Sequence, residues 1–265
     1  MQKINMVVIN LTRRIYRILV LTLWFVIMFI VALFCCWGKF RAIKRITNIT
    51  HIWAKGIAKI LGIKLEIEGD THSYKNKLII ANHSSYLDII VHAALFPIRF
   101  TPKNDIRKWP ILGQYIEASR PIWIDRSSRQ KAKLLIKEFT KTIKHGIPLI
   151  VYPEGSTSDN RGDLLKFKTT SFEVAKNCSS SLLPLICYFE DTIDNKPLAW
   201  YGDMTFLPHL WRVLAYKEIR VTVKILPEIK INESENRKEL ALRAYEIMNK
   251  SFHEVAESRK NTTIK

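Results

Sequence analysis

His83 and Asp88 are the residues of this 265-residue chain whose types and spacing most directly suggest chemistry. Five positions apart on a continuous helix, they would diverge by about 140° and could not hydrogen-bond. If His83 instead occupies a strand-to-helix turn, with Ser84 or Ser85 capping the helix, Asp88 in the first turns reaches back to the imidazole. The carboxylate would then hold one tautomer and stabilise the imidazolium, and the other ring nitrogen would take a proton from a substrate hydroxyl. Taken alone, the spacing suits a solvated turn histidine at least as well. With seven histidines and 24 acidic residues, such a pair is common by chance.

The surrounding elements narrow the choice. Short β-rich runs, KLEIEG (64–69), KLIIAN (77–82), PIWID (121–125), IPLIVY (147–152), LLPLICY (182–188) and EIRVTVKIL (218–226), alternate with helical stretches. The clearest of those stretches are 85–96, 128–145 and 234–257. This alternation predicts an α/β domain with a mostly parallel sheet flanked by helices. Three polar clusters each follow an apolar strand: NHSSYLD after KLIIA, DR after PIWI, and EGSTSDNR after IPLIVYP. In an open parallel sheet ligands bind outside the carboxyl ends of the strands, so the three clusters should converge on one site.

Together the motifs resemble the glycerolipid acyltransferase family, to which the 1-acylglycerol-3-phosphate acyltransferases belong, over roughly residues 65–230. Asn82, His83 and Asp88 match its N-H-x4-D motif. Lys103, Asp105, Ile106, Gly113, Asp125 and Arg126 answer to the second. Tyr152, Pro153, Glu154, Gly155, Ser156, Thr157 and Ser158 answer to F-P-E-G-T-R-S, and Leu182, Leu183, Pro184 and Leu185 to an apolar segment with a central proline. The resemblance implies that His83, with Asp88, activates the acceptor hydroxyl. It places Lys103, Arg126, Glu154, Gly155, Ser156 and Pro184 at the substrates, and it requires neither metal nor cofactor. The acyl donor would be a thioester of coenzyme A or of acyl carrier protein. Lys103 and Arg126 suit an acceptor phosphate, the ammonium as a point charge and the guanidinium as a bidentate fork, although surface ion pairing would use the same residues. Glu154 could hold acceptor hydroxyls or orient a base, and Gly155 permits close backbone approach, although a strand-end turn without function looks the same. The sequence departs from the family twice. Thr157 stands where the third motif has arginine, with Arg161 nearby, and Thr170 stands where the F-K-x-G segment begun by Phe167 and Lys168 has glycine.

The N-terminus predicts how such a domain meets lipid. Ile18–Trp37 is free of charge, bracketed by Arg13, Arg14 and Arg17 before it and by Lys39, Arg41, Lys44 and Arg45 after it. That length spans a hydrocarbon core of about 30 Å, and the bases that follow are unlike a signal cleavage site. From Arg41 to Ile63, Ile46, Ile49, Trp53, Ile57 and Ile60 share a helical face, with Lys44, Lys55 and Lys59 opposite, the pattern of an interfacial amphipathic helix or of a domain-packing one. The expected organisation is therefore a membrane anchor over residues 1–63, made of an apolar helix (18–37) and a basic amphipathic helix (41–63), and an acyltransferase domain over 64–265. The net charge is +18, and residues 1–64 carry 11 bases and no acid, which points to a polyanionic partner. The apolar run favours anionic lipid over nucleic acid, and the extra bases after it place the catalytic domain on the cytoplasmic side. Cys35, Cys36, Cys178 and Cys187 show no metal-ligand spacing, and neither G-x-S-x-G nor a phosphate-binding glycine pattern occurs. The expected activity is transfer of a fatty-acyl group to the sn-2 hydroxyl of lysophosphatidic acid, giving phosphatidic acid. The competing acceptors are another lysophospholipid or a lyso-ornithine lipid. A membrane-tethered polyanion-binding protein is the alternative outside enzymes.

Overall fold

The computed structural model describes residues 2–35, 38, 40–124, 129–178, 180–190 and 197–263. Five strands form one sheet in the order β1-β5-β4-β2-β3: β1 (Ile63–Glu68), β2 (Leu78–Ala81), β3 (Leu149–Val151), β4 (Leu182–Phe189) and β5 (Ile219–Ile225). All adjacent pairs are parallel except β4 with β5. The mostly parallel sheet expected from the sequence is present, with one antiparallel junction.

The central strands are apolar on both faces because helices cover both. Leu78 and Ile80 of β2 point with Leu149, Leu182 and Ile186 into a core shared with α5 (Arg129–Lys144), α6 (Thr170–Cys178) and α8 (Arg237–Thr263). Ile79 and Ala81 point the other way, with Ile150, Leu183 and Leu185. On that opposite face α2 (Phe40–Leu61) and α3 (Leu87–Leu95) pack against β1 and β5 through Ile57, Leu61, Leu87, Val91, Val221 and Val223. Two further helices, α4 (Leu112–Ala118) and α7 (Phe206–Val213), flank the carboxyl ends.

The described part of PIWID, residues 121–124, is not a regular strand. Ile122 N–H donates to Phe100 O (2.9 Å) and Ile124 N–H to Pro102 O (2.8 Å), so 121–124 runs beside an extended 99–104 segment. Pro97, Pro102 and Pro121 lack the donors a continuous ladder needs, which leaves isolated bridges in place of a sixth strand.

The N-terminal helix α1 (Gln2–Phe34) starts well before the expected residue 18, since nothing in 2–17 breaks it. Met6–Phe34 is long and apolar enough to cross a membrane, while Cys36, Trp37 and Lys39 lie outside the described residues. The flanking arginines do not reach outward as the sequence suggested. Arg17 is 5% exposed and donates to the carbonyls of Ile60, Leu61, Leu214, Tyr216 and Lys217. Arg13 donates to Ala215 O at 2.6 Å and Arg14 to Trp211 O at 3.1 Å. These orphan carbonyls at helix ends take the three cations, so α1 is fastened along the domain. The helix α2 takes the domain-packing arrangement of the two its pattern allows: its apolar face is buried on α3 and the sheet, leaving Lys44, Lys55 and Lys59 exposed. Gly56 makes the α1–α2 contact possible, because a Cβ there would sit 2.4 Å from the Trp24 indole, whose N–H donates to Trp53 O at 3.0 Å.

Candidate active site

The carboxyl ends of β2, β3 and β4 meet at a turn tied together by side-chain to backbone hydrogen bonds, with Ser84 Oγ, Asp88 Oδ1 and His92 Nε2 buried without a partner among the described residues. Asn82, just past β2, exchanges two hydrogen bonds with the backbone of Cys187 in β4, donating to its O (2.9 Å) and accepting from its N–H (2.7 Å). A side chain thus supplies the next rung of the ladder and fixes where the chain leaves the sheet. His83 follows, and α3 begins only at Leu87.

Asp88, fully buried in the first turn of α3, turns back over this loop. Its Oδ2 accepts from Ser84 N–H (2.7 Å), Ser85 N–H (2.9 Å) and His83 Nδ1 (2.7 Å). One carboxylate oxygen therefore caps the turn and orients the imidazole. Because a carboxylate only accepts, the proton of the neutral ring sits on Nδ1 and the lone pair on Nε2. The helix-internal geometry that the spacing rules out is avoided in the expected way, but the cap is Asp88 itself; Ser85 contributes only a 3.3 Å contact to Leu87 N–H.

The imidazole is further held from above. The Tyr152 ring stacks on it, centroids 4.1 Å apart and planes 19° from parallel. The Tyr152 hydroxyl pairs at 3.0 Å with Nδ1 of His92, a buried residue of α3. Burial pushes the His92 pKa down to about 4, against the opposing pull of Asp88, so this imidazole stays neutral. The same burial, reinforced by the Asp88 charge, holds the Tyr152 phenol and the Cys187 thiol protonated. None of these supports was read from the sequence. Tyr152 was visible only as a motif position, and its partner lies 60 residues away.

Glu154 is buried, and its two oxygens accept from the backbone N–H groups of His83 (2.7 Å) and Leu165 (2.9 Å). It ties the His83 turn to the 164–168 segment and is not among the residues lining the adjacent cavity. Burial pushes its carboxyl up to about 7, against the pull of those two donors and with a further push from Asp88. Ser158 N–H also donates to His83 O (2.8 Å), and Trp200 N–H to Ser84 O (2.8 Å). The β3 loop and the 197–205 segment thereby lock onto the same turn.

His83 borders a cavity of about 1870 Å³. Its polar end carries Lys103, Tyr152, Gly155, Ser156, Thr157 and Lys168. Gly155, at φ +70°, leaves room for the Lys168 side chain, whose Nζ lies 2.5 Å from where a Cβ would be. The rest is apolar and includes Phe25, Met28 and Phe29 of α1, Trp53 of α2 and Tyr115 of α4. The chain therefore brings a carboxylate-oriented histidine, cationic side chains and a long apolar volume into one space. Of the residues expected there, His83, Lys103, Gly155 and Ser156 line it. Asp88 and Glu154 sit directly behind it. Pro184 does not reach it: it is buried in β4, in register with Ile80, and the cavity lies beyond the strand end. Asp125 and Arg126 lie outside the described residues. Lys168, noted in the sequence only as part of a motif, joins the lining.

Comparison with known proteins points to acyl transfer. The acyltransferase family profile matches residues 63–188. The 1-acyl-sn-glycerol-3-phosphate acyltransferase of Neisseria meningitidis serogroup B is 29% identical over 185 residues, 69% of this chain and 72% of that protein. The lyso-ornithine lipid O-acyltransferase of Brucella abortus is 26% identical over 212 residues, 75% of this chain and 78% of that one. The fold is that of the crystal structure of the 1-acyl-sn-glycerophosphate acyltransferase from Thermotoga maritima, with a TM-score of 0.69 at 22% identity, covering 97% of this chain and 98% of the other.

Proposed function

Through residues 63–188 the chain belongs to the acyltransferase family, and we propose that it moves a fatty-acyl group from a thioester donor onto the free hydroxyl of a lysolipid at the membrane surface. The observation that carries this reading is the pairing of His83 Nδ1 with Asp88 at 2.7 Å, which leaves Nε2 as the basic atom at the polar end of a cavity whose remainder is apolar. In the reaction, Nε2 takes the proton of the acceptor hydroxyl as its oxygen attacks the thioester carbonyl. The tetrahedral intermediate collapses with cleavage of the C–S bond, and the imidazolium returns the proton to the leaving thiolate. Asp88 stabilises the transient imidazolium without taking its proton. Neither metal nor cofactor enters these steps, since the thioester brings its own leaving group.

The preferred acceptor is lysophosphatidic acid at its sn-2 hydroxyl, as in the Neisseria meningitidis relative. Lys103 and Lys168 at the cavity, with Arg126, supply cations for its phosphate. A second acceptor class, lyso-ornithine lipid, is favoured by Thr157, which puts a hydroxyl where a motif arginine would bind phosphate, and by the Brucella abortus relative. Lys39, Arg41, Lys44 and Arg45, the bases that follow the apolar run in the sequence, favour a cytoplasmic catalytic domain. The deciding experiment offers the purified full-length protein lysophosphatidic acid or lyso-ornithine lipid, each with acyl-coenzyme A and with acyl carrier protein donors. Acylation of the phosphorylated acceptor supports the first reading. Acylation of lyso-ornithine lipid alone transfers the assignment to the second, and no acyl transfer with any pair rejects both.

A further inference from the structure

Large apolar side chains other than those of α1 stand in solvent on the catalytic domain. Ile111 is 85% exposed, Leu207 72%, Trp211 43% and Trp109 37%. Scattered singly they would need no explanation, but they form one contiguous patch. The Trp109 and Phe206 rings meet at 6.3 Å, which joins the Trp109–Pro110–Ile111 turn to α7. At the other end of α7 the Arg14 guanidinium lies 4.7 Å over the Trp211 ring, which joins the patch to α1. Between them, Phe25 and Phe29 of α1 pack on Tyr115 of α4, the helix that follows the turn. The patch thus continues the exposed apolar face of α1, which carries Leu19, Leu23 and Phe34.

We propose that the Trp109–Pro110–Ile111 turn and the outward face of α7 are a second lipid-contacting surface, which seats the catalytic domain in the same leaflet that receives α1. The backbone is shaped for it. Ile111 sits at φ 63°, ψ −54°, a conformation that costs a β-branched residue about 1–3 kcal/mol, and the turn accepts it with the side chain held outward. The occupant is lipid because the patch runs into a helix of bilayer-spanning length and composition, and because its edge is cationic. Exposed Lys108 immediately precedes the turn, where anionic headgroups would meet it, beside Arg107, whose guanidinium is paired with Glu117 at 3.0 Å. Trp109 and Trp211 suit the interface, their rings apolar and their indole N–H wet. Trp109, Pro110 and Ile111 also line the cavity, so seating them in the leaflet lets an aliphatic chain enter the site without crossing water. The inference rests on the lysolipid reading above and adds to it where the domain meets the membrane.

The test uses the full-length chain in vesicles of phosphatidylethanolamine and phosphatidylglycerol. Nitroxide labels are placed at Ile111→Cys, Leu207→Cys and, as control, the exposed Lys250→Cys, with Cys35, Cys36 and Cys178 changed to Ser and buried Cys187 retained. Labels at 111 and 207 should be relaxed more by dissolved oxygen than by a water-soluble nickel chelate, and the label at 250 the reverse. In parallel, Leu207→Glu and Trp211→Glu, neither of which lines the cavity, should acylate acceptor in detergent micelles within about twofold of wild type and lose about tenfold or more on vesicle-embedded acceptor. A water-like response at 111 and 207, dipolar broadening that places two copies against each other, or undiminished vesicle activity of the charged variants would each overturn the proposal. Failure of the wild type to acylate any lysolipid in micelles would instead reject the parent reading, and the labels would still decide where the domain docks.

Discussion

The two ends of the cavity are built on opposite principles. Around His83, Asn82 and Glu154 commit their side-chain oxygens and nitrogen to backbone groups of other segments, and Asp88 Oδ2 takes two N–H groups of its own turn, all at 2.7 to 2.9 Å. At the α1 end, Phe25, Met28, Phe29 and Tyr115 meet through ring and methylene contacts that prescribe volume and little direction. The difference teaches where precision is needed. A base must be held at a fixed angle, and hydrogen bonds are directional. An aliphatic chain needs only dry space, and apolar burial is not directional.

The sharpest way to break this contrast is at its polar end. His83→Ala should lower turnover by about 10² to 10⁴ while the fold survives, read from steady-state acyl transfer alongside thermal unfolding. Asp88→Asn should approach the same loss, since an amide can present its N–H₂ to the imidazole and reverse the tautomer. It should also cost about 1–3 kcal/mol of stability, because the oxygen it alters serves two buried N–H groups. Wild-type turnover in a folded His83→Ala protein would end the mechanism.

Headgroup binding belongs to the polar end but should be less absolute. Arg126→Ala is expected to raise the KM for lysophosphatidic acid by about 10- to 150-fold while leaving donor KM nearly unchanged, with Arg126→Lys recovering part. Equal rates at sub-saturating acceptor would show that another cation holds the phosphate.

Glu154 probes whether the turn is held by acceptors specifically. Glu154→Gln keeps the shape but sets an N–H₂ against the N–H of His83 or Leu165, so kcat should drop about tenfold with smaller change in KM. The folded carboxyl titrates at about 7, above an unfolded glutamate. Its contribution to stability is therefore full below about pH 4 and is lost as pH rises through about 7. Activity needs both oxygens as acceptors and should run the other way, rising over that range. A kcat profile in which Glu154→Gln keeps the same acid limb would separate that limb from Glu154.

The smallest effects belong to the apolar end. Phe29→Ala should leave kcat within a few-fold and shift donor preference toward longer chains, by about fourfold for each added methylene the new space accepts. If it lowered turnover as severely as His83→Ala, the two ends would not be independent.

Much of this was written locally. The apolar runs at 77–82, 147–152 and 182–188 became β2, β3 and β4, because a strand buried on both faces must be apolar throughout. The helices expected at 85–96, 128–145 and 234–257 fell at Leu87–Leu95, Arg129–Lys144 and Arg237–Thr263, the last running past its expected end, whereas α1 began well before residue 18. The short helices α4, α6 and α7 were not read, being too brief to show a period and, in α7, carrying Pro208 in the first turn.

By itself the sequence located the candidate site: a histidine and an aspartate that can meet only across a strand-to-helix turn, followed by polar clusters at later strand ends. The tertiary structure decided what the ambiguous segments do. The same Ile- and Trp-bearing stripe on α2 can face a bilayer or a protein core, and packing on α3 chose the core. The same three arginines can bind headgroups or helix-end carbonyls, and the proximity of residues 60–61 and 211–217 chose the carbonyls. The partners of Tyr152 and Glu154 are likewise far away in sequence, His92 and the His83 backbone. A local pattern states what a side chain can satisfy; which group satisfies it depends on contacts made only when distant segments close on one another.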